Sequence, residues 1–138
     1  SEHCFEFTRL YDGIPELVDT LARRGFTLAV LSNKPDDSTK RMIAHYFKPS
    51  PFAAVHGQLP NVAPKPDPAV ALHVARDAAI PPAEWLCLGD TDVDMRTARA
   101  AGMFAVGALW GFRDREELLA SGAQAVVAKP DEVLNLLA

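Results

Sequence analysis

The chain has 138 residues, of which 49% are hydrophobic and 23% charged; that is the balance of one folded domain with a real core and excludes a disordered chain. A net charge of −4, with no Lys/Arg cluster to offset it, argues against a nucleic-acid partner. The longest apolar run, Met103 to Phe112, is far short of the roughly 20 residues of a membrane span, and "SEHCFEF" at the start lacks the basic-then-apolar order of a secretory signal. No membrane partner is expected, and a cytoplasmic location is.

Strand and helix patterns alternate along the whole chain. Ile14, Leu17, Val18 and Leu21 recur at helical spacing, with Pro15 tolerated in the first turn and Gly25 where a helix would stop. Phe26 to Ser32, "FTLAVLS", is a continuous apolar run whose lack of alternation predicts burial on both faces, as in a parallel sheet. A helix over Pro35 to Tyr46 and a short strand over Ala53 to Gly57 follow. The proline-rich "QLPNVAPKPDP" reads as an exposed loop, and Asp67 to Ala79 returns to helical periodicity. Next come a strand "WLCLG", a helix over Asp92 to Ala101 stopped by Gly102, and a strand over Met103 to Leu109. A helix over Arg113 to Ala120, a short strand over Ala125 to Val127 and a closing helix over Pro130 to Leu137 complete the chain. This alternation with short loops predicts one α/β domain, residues 1–138, built on a doubly wound parallel sheet. Two cysteines, Cys4 and Cys87, are too few for a disulfide framework, and Cys87 reads as a buried thiol within a strand.

Ligands of open parallel sheets bind at the carboxyl ends of the strands, and three polar clusters fall there or on a loop able to reach. Ser32 and Asn33 in "LSNKPD" join a strand to a helix; they read either as a helix cap or, with free backbone N–H groups, as an anion site suited to phosphate. Lys65 in "APKPDP" stands between Pro64 and Pro66, either as a solvated loop lysine or as an ammonium held against a negative centre by a stiffened backbone. Asp90, Asp92 and Asp94 in "LGDTDVDM" would repel one another unless a cation or hydrogen-bond donors intervened. A hard cation such as Mg²⁺ fits, and so does simple capping by Thr91 or Asp92 with exposed acids around it. An EF-hand does not fit, because Met95 stands where that loop needs glycine and Ala101 where it needs glutamate. Asp90 ends the strand and Asp94 lies one helical turn on, so those two can face one site while Asp92 projects elsewhere.

Taken together, "LSNK", "KPDP" and "GDTDVDMRTARAAGM" resemble motifs two, three and four of the haloacid dehalogenase superfamily, in order and at compatible spacing. The closing "WGFRDREELLASGAQAVVAKPDEVLNLL" resembles its phosphoglycolate phosphatase-like branch. The resemblance implies a Rossmann-like core and a Mg²⁺-dependent phosphatase acting on a small phosphorylated metabolite. It implies that Ser32 binds the transferring phosphoryl group, that Asn33 supports that loop, and that Lys65 neutralises charge between phosphate and nucleophile. Asp90 would be a Mg²⁺ ligand, and Asp94 would complete or orient the metal shell. In this family an aspartate attacks phosphorus, and water then hydrolyses the aspartyl-phosphate.

The family's first motif, an apolar strand ending D-x-D-G-T that carries the nucleophile, is absent from the chain. In "RLYDG", Leu10 stands where the nucleophile would be and Ile14 where the threonine would be, so Asp12-Gly13 reads as the turn before the helix. The helical cap domain is also missing. The reading favours the C-terminal portion of a longer phosphatase, inactive by itself, over a natural truncated relative that binds phosphate or a partner without catalysis. A phosphosugar mutase of the same superfamily is the second enzyme reading; a dehalogenase has no use for the acidic pair. Because the family's first-motif strand lies between the strand ending at Ser32 and that ending at Gly89, the sheet is expected to lack its central strand. It would then be completed by rearrangement, by another chain or by a missing N-terminal segment.

Overall fold

The computed structural model describes residues 2–5, 13–47, 49–61, 64–111 and 113–137. Among the described residues six strands form one wholly parallel sheet: β1 (Glu2–Phe5), β2 (Thr27–Pro35), β3 (Phe52–Gln58), β4 (Trp85–Gly89), β5 (Phe104–Ala108) and β6 (Ala125–Val127). Their order, β3-β2-β1-β4-β5-β6, is that of a doubly wound Rossmann-like fold, and the chain reverses direction across the sheet at the β1/β4 boundary. Five α-helices connect them: α1 (Ile14–Arg23), α2 (Asp36–Tyr46), α3 (Ala69–Asp77), α4 (Asp92–Ala101) and α5 (Arg115–Ala120).

Strand residues alternate between two cores. Leu28, Val30, Leu86, Leu88 and Val106 pack under α1 and α2, together with Ile14, Leu17, Leu21 and Ile43. Ala29, Leu31, Trp85, Cys87 and Ala105 pack under α3, α4 and α5, with Val74, Met95 and Leu118. Leu28 to Ser32 of β2 and all of β4 are therefore dry on both faces, which is why neither stretch alternates polar with apolar residues. Each such buried aliphatic side chain contributes about 1.5–3 kcal/mol through removal from water. Cys87 is a buried free thiol beside Met103.

Local chemistry explains the helix limits. The apolar stripe Ile14, Leu17, Val18 and Leu21 is buried, and the chain leaves α1 through Gly25 at φ +84°. α4 opens on a Thr91–Asp94 capping box and closes on Gly102 in the left-handed region. Two elements differ from the sequence reading. Pro130–Leu136 is a 3₁₀ helix and not an α-helix; Pro130 and Val133, three residues apart, are its buried contacts, which suits a three-residue turn. The central position, expected to be completed by rearrangement, by another chain or by a missing N-terminal segment, is occupied by Glu2–Phe5 of this chain, where the sequence reading placed no strand, paired to β2 and to β4 over four residues. Asp12 lies outside the described residues; Gly13, at φ +91°, leads directly into α1. Among the described residues no helix is long and apolar enough to cross a membrane.

Candidate active site

At the carboxyl edge of the sheet, two strand-to-helix junctions and one long loop meet. The β2–α2 junction carries Ser32 and Asn33. Neither caps the helix: the chain stays extended through Pro35, and α2 has no side-chain cap. Ser32 is buried, and its hydroxyl accepts the Lys34 backbone N–H at 3.0 Å. Asn33 reaches sideways to the loop bearing Lys65. Its Oδ1 accepts the Lys65 N–H at 3.0 Å, and its Nδ2 donates to the Lys65 carbonyl at 3.2 Å.

That double bond to the backbone aims the Lys65 side chain inward. The ammonium donates to Asp94 Oδ1 at 2.8 Å and to the Leu31 carbonyl at 3.4 Å. Both side chains of the Lys65–Asp94 pair are nearly closed to solvent, at 9% and 6% exposure, so the solvated-lysine alternative is excluded. Asp94 is saturated. Its Oδ2 accepts the N–H groups of Asp90 at 3.0 Å and Thr91 at 3.1 Å, while its own N–H donates to Thr91 Oγ1 at 3.3 Å.

Asp90 differs from Asp94 in every respect. It is half-buried, and burial, followed by repulsion from Asp94, holds its carboxyl above the ordinary carboxylate range; Lys65 and Arg113 pull the other way. A carboxylate so placed gains from a cation. The two carboxylates thus have different surroundings: Asp94 bonds Lys65 and the α4 N-terminus, and Asp90 lies against the bare backbone of Gly111. Asp92 pairs with Arg96 along the helix surface at 3.5 Å. Among the described residues no group of three or more His, Cys, Asp or Glu side chains could hold a metal. The donor set still fits Mg²⁺, which keeps several waters and is commonly bound through one or two carboxylates plus phosphate oxygens.

Two glycines that the sequence reading passed over set these carboxylates in place. A Cβ on Gly89 would lie 2.6 Å from Asp94 Cγ, and one on Gly111 would lie 2.6 Å from Asp90 Cβ. The loop after β5 thus presses bare backbone against Asp90. The signal was the "WG" pair straight after an apolar strand, which no local pattern connects to a residue 21 positions earlier. His56 is a second omission. It lines a narrow cleft with Ser32, Asn33 and Lys65, and burial, then His73 and Lys40, lower its pKa. A larger cavity of about 830 Å³ lies between α1 and the C-terminal 3₁₀ helix, lined by Gly13, Thr20, Tyr46 and Leu134, and holds none of the candidate residues.

Residues 1–108 match the family model described as haloacid dehalogenase-like hydrolase. The chain is 31% identical over 111 residues to a phosphoglycolate phosphatase of Haemophilus influenzae, covering 80% of this chain and 50% of that protein. It is 30% identical over 139 residues to an N-acetylmuramic acid 6-phosphate phosphatase of Pseudomonas aeruginosa, covering 99% of this chain and 61% of that protein. A solved haloacid dehalogenase-like family hydrolase from Streptococcus pneumoniae superposes with a TM-score of 0.83 at 25% identity, over 94% of this chain and 60% of that one. The chain spans about half to three-fifths of the length of these relatives.

Proposed function

Because the chain belongs to the haloacid dehalogenase-like hydrolase family, we propose that the protein is a Mg²⁺-dependent phosphatase of small phosphomonoesters such as phosphoglycolate. The observation that carries this reading is the buried Lys65 ammonium, tied to Asp94 and to the Leu31 carbonyl of β2, with Ser32 and Asp90 on the flanking junctions. Four groups from three separate stretches of sequence so come to one edge of the sheet, where phosphate and metal chemistry can be shared.

Each residue then has a role. Ser32 binds a phosphoryl oxygen through its hydroxyl and backbone N–H, and Asn33 fixes that loop relative to Lys65. The Lys65 ammonium stands against the negative charge that builds on the phosphoryl oxygens, where a preorganised cation in a dry site is most effective. Asp90, with water and substrate oxygens, would hold Mg²⁺, which supplies charge neutralisation and orientation of the phosphoryl group. Asp94 keeps Lys65 and the Asp90 backbone in place. The attacking aspartate belongs to the first motif, which the 138 residues do not contain. In the whole protein it would form an aspartyl-phosphate with loss of the alcohol, and water would then release phosphate. The alcohol is read as glycolate, with the 6-hydroxyl of a sugar as the second candidate because of the N-acetylmuramic acid 6-phosphate phosphatase relative.

The test is turnover. A longer form that includes a D-x-D-G-T segment should release phosphate from phosphoglycolate with Mg²⁺ and lose that activity on Asp90→Asn. The pure 138-residue chain should release none and should bind Mg²⁺ weakly or not at all. Mg²⁺-dependent turnover by the 138-residue chain, abolished by Asp90→Asn, would sink the claim of inactivity.

A further inference from the structure

The loop that carries Lys65 leaves β3 after Gln58 and enters α3 at Ala69. Its two stems touch through a pair of histidines. The rings of His56, on β3, and His73, on α3, stand edge to face, with centroids 6.1 Å apart and planes at 72°. His56 is half-buried; it lines the narrow cleft with Ser32, Asn33, Lys65 and Asp67, and its register partner on β2 is Leu31. The Leu31 carbonyl is also the one that accepts the Lys65 ammonium. One residue on, the Gly57 N–H donates to Asp36 Oδ1 at 2.9 Å and ties the same end of β3 to the start of α2. His56 therefore sits where the Ser32 junction and the Lys65 loop are joined, in contact with the second stem of that loop.

We propose that the His56–His73 contact is an acid-released latch on the Lys65 loop: the rings pack while His56 is neutral, and they repel and part the two stems when both carry a proton. Charged groups reach His56 from every side. α3 brings His73, with Asp77 Oδ2 3.1 Å from its Nε2; α2 brings Asp36 and Lys40, paired at 2.8 Å; the loop brings Lys65 and Asp67. Burial first, then His73 and Lys40, hold the His56 pKa below the ordinary histidine value, against the pull of Asp36 and Asp77. The unfolded chain thus takes up this proton near pH 6.5 or so, about the ordinary value, and the fold only at lower pH. Stability from the neutral ring is full above the ordinary value and is lost as pH falls through the lowered one. Two unit charges 6.1 Å apart near a protein surface repel enough to shift a local opening about tenfold. The loop yields before the sheet because the Lys65 backbone is gripped by the Asn33 amide and not by a strand. As regulation of the active site the latch rests on the phosphatase reading; as a movement of the loop it does not.

The experiment is amide hydrogen exchange on the 138-residue chain at pH 7 and pH 5, expressed as protection relative to the free peptide so that the intrinsic effect of pH drops out. Protection of the Lys65 and Asp67 amides should fall about tenfold in acid, while that of the β4–β5 ladder holds. His73→Phe keeps a ring against His56 and removes the second charge, at a helix position whose side chain is 54% exposed. It should abolish the fall and raise the midpoint of the His56 ring titration followed by NMR; His56→Phe should abolish the fall as well. The proposal is overturned if the loop amides show no fall, if His73→Phe leaves the fall intact, or if the β4–β5 ladder loses protection in step, which would make the change global. In a longer form bearing the first motif, turnover should show an acid limb that His73→Phe removes. Absence of turnover at pH 7 would count against the phosphatase reading and leave the exchange result standing, and an unlatched loop would leave turnover at pH 7 unchanged.

Discussion

The two strand-to-helix junctions that meet at Lys65 are built in opposite ways. The β4–α4 junction organises itself: Thr91 and Asp94 cap the helix reciprocally, Asp94 accepts the Asp90 N–H, and Gly89 lets the carboxylate fold back against the strand. The β2–α2 junction has no cap of its own, and its shape depends on an amide, Asn33, that grips a loop 32 residues away. One junction is specified within six residues, Gly89 to Asp94, and the other only by the completed fold. Lys65 joins them, since its backbone belongs to the second arrangement and its ammonium to the first.

Breaking that link should have the largest effect. Lys65→Met leaves the buried Asp94 carboxylate without its cation and should cost about 3–5 kcal/mol in urea unfolding; a loss under about 1 kcal/mol would mean the pair acts like an exposed one. Gly89→Ala tests the self-organised junction alone. Its methyl must displace Asp94, at a cost of about 1–3 kcal/mol, and wild-type stability would show that the close approach is not needed. Smaller and matched are Thr91→Ala, expected to cost about 1 kcal/mol through the lost cap, and Asn33→Ala, about 0.5–1.5 kcal/mol through the lost amide bonds. A double-mutant cycle of Asn33→Ala with Lys65→Met should show coupling, and additivity would sever the proposed connection.

The smallest effects are in pH, and the junctions should respond with opposite sign. Asp36, at the start of α2, has its pKa lowered by the Lys40 side chain and the Gly57 N–H. Its contribution to stability is full above the ordinary carboxylate value and is lost as pH falls through the lower folded value. Asp90 has a raised pKa, so its charge weakens the fold at neutral pH, and that penalty fades as pH falls below the raised value toward the ordinary one. Asp90→Asn should therefore stabilise the metal-free chain at pH 7, by an amount that shrinks in acid, whereas Asp36→Asn should destabilise it. Urea midpoints from pH 7 to pH 3 decide the matter, and a less stable Asp90→Asn chain at pH 7 would overturn the reading of Asp90.

What the sequence made legible follows the same division. Continuous apolar runs announced β2 and β4, and the spacing of Asp90 and Asp94 placed both at one site. The pairing of Asp94 with Lys65 was not legible, because it depends on where Lys65 arrives. The Asn33–Lys65 grip and the approach of Gly111 to Asp90 join residues far apart in the chain, and no periodicity reports such a meeting. β1 was missed for a different reason: Glu-His-Cys-Phe carries no strand signal, and only the demand of its neighbours makes a strand of it.

The carboxamide of Asn33 does the work of a ladder rung, giving one donor and taking one in the manner of a neighbouring peptide group. A side chain in that office is vulnerable to slow chemistry that a backbone rung resists. Hydrolysis of the amide to aspartate, the ordinary ageing reaction of asparagine, would remove the donor toward the Lys65 carbonyl and set a negative charge in the cleft that Asn33 shares with Ser32 and Lys65. Stored material would then lose its grip on the Lys65 loop before it loses its fold.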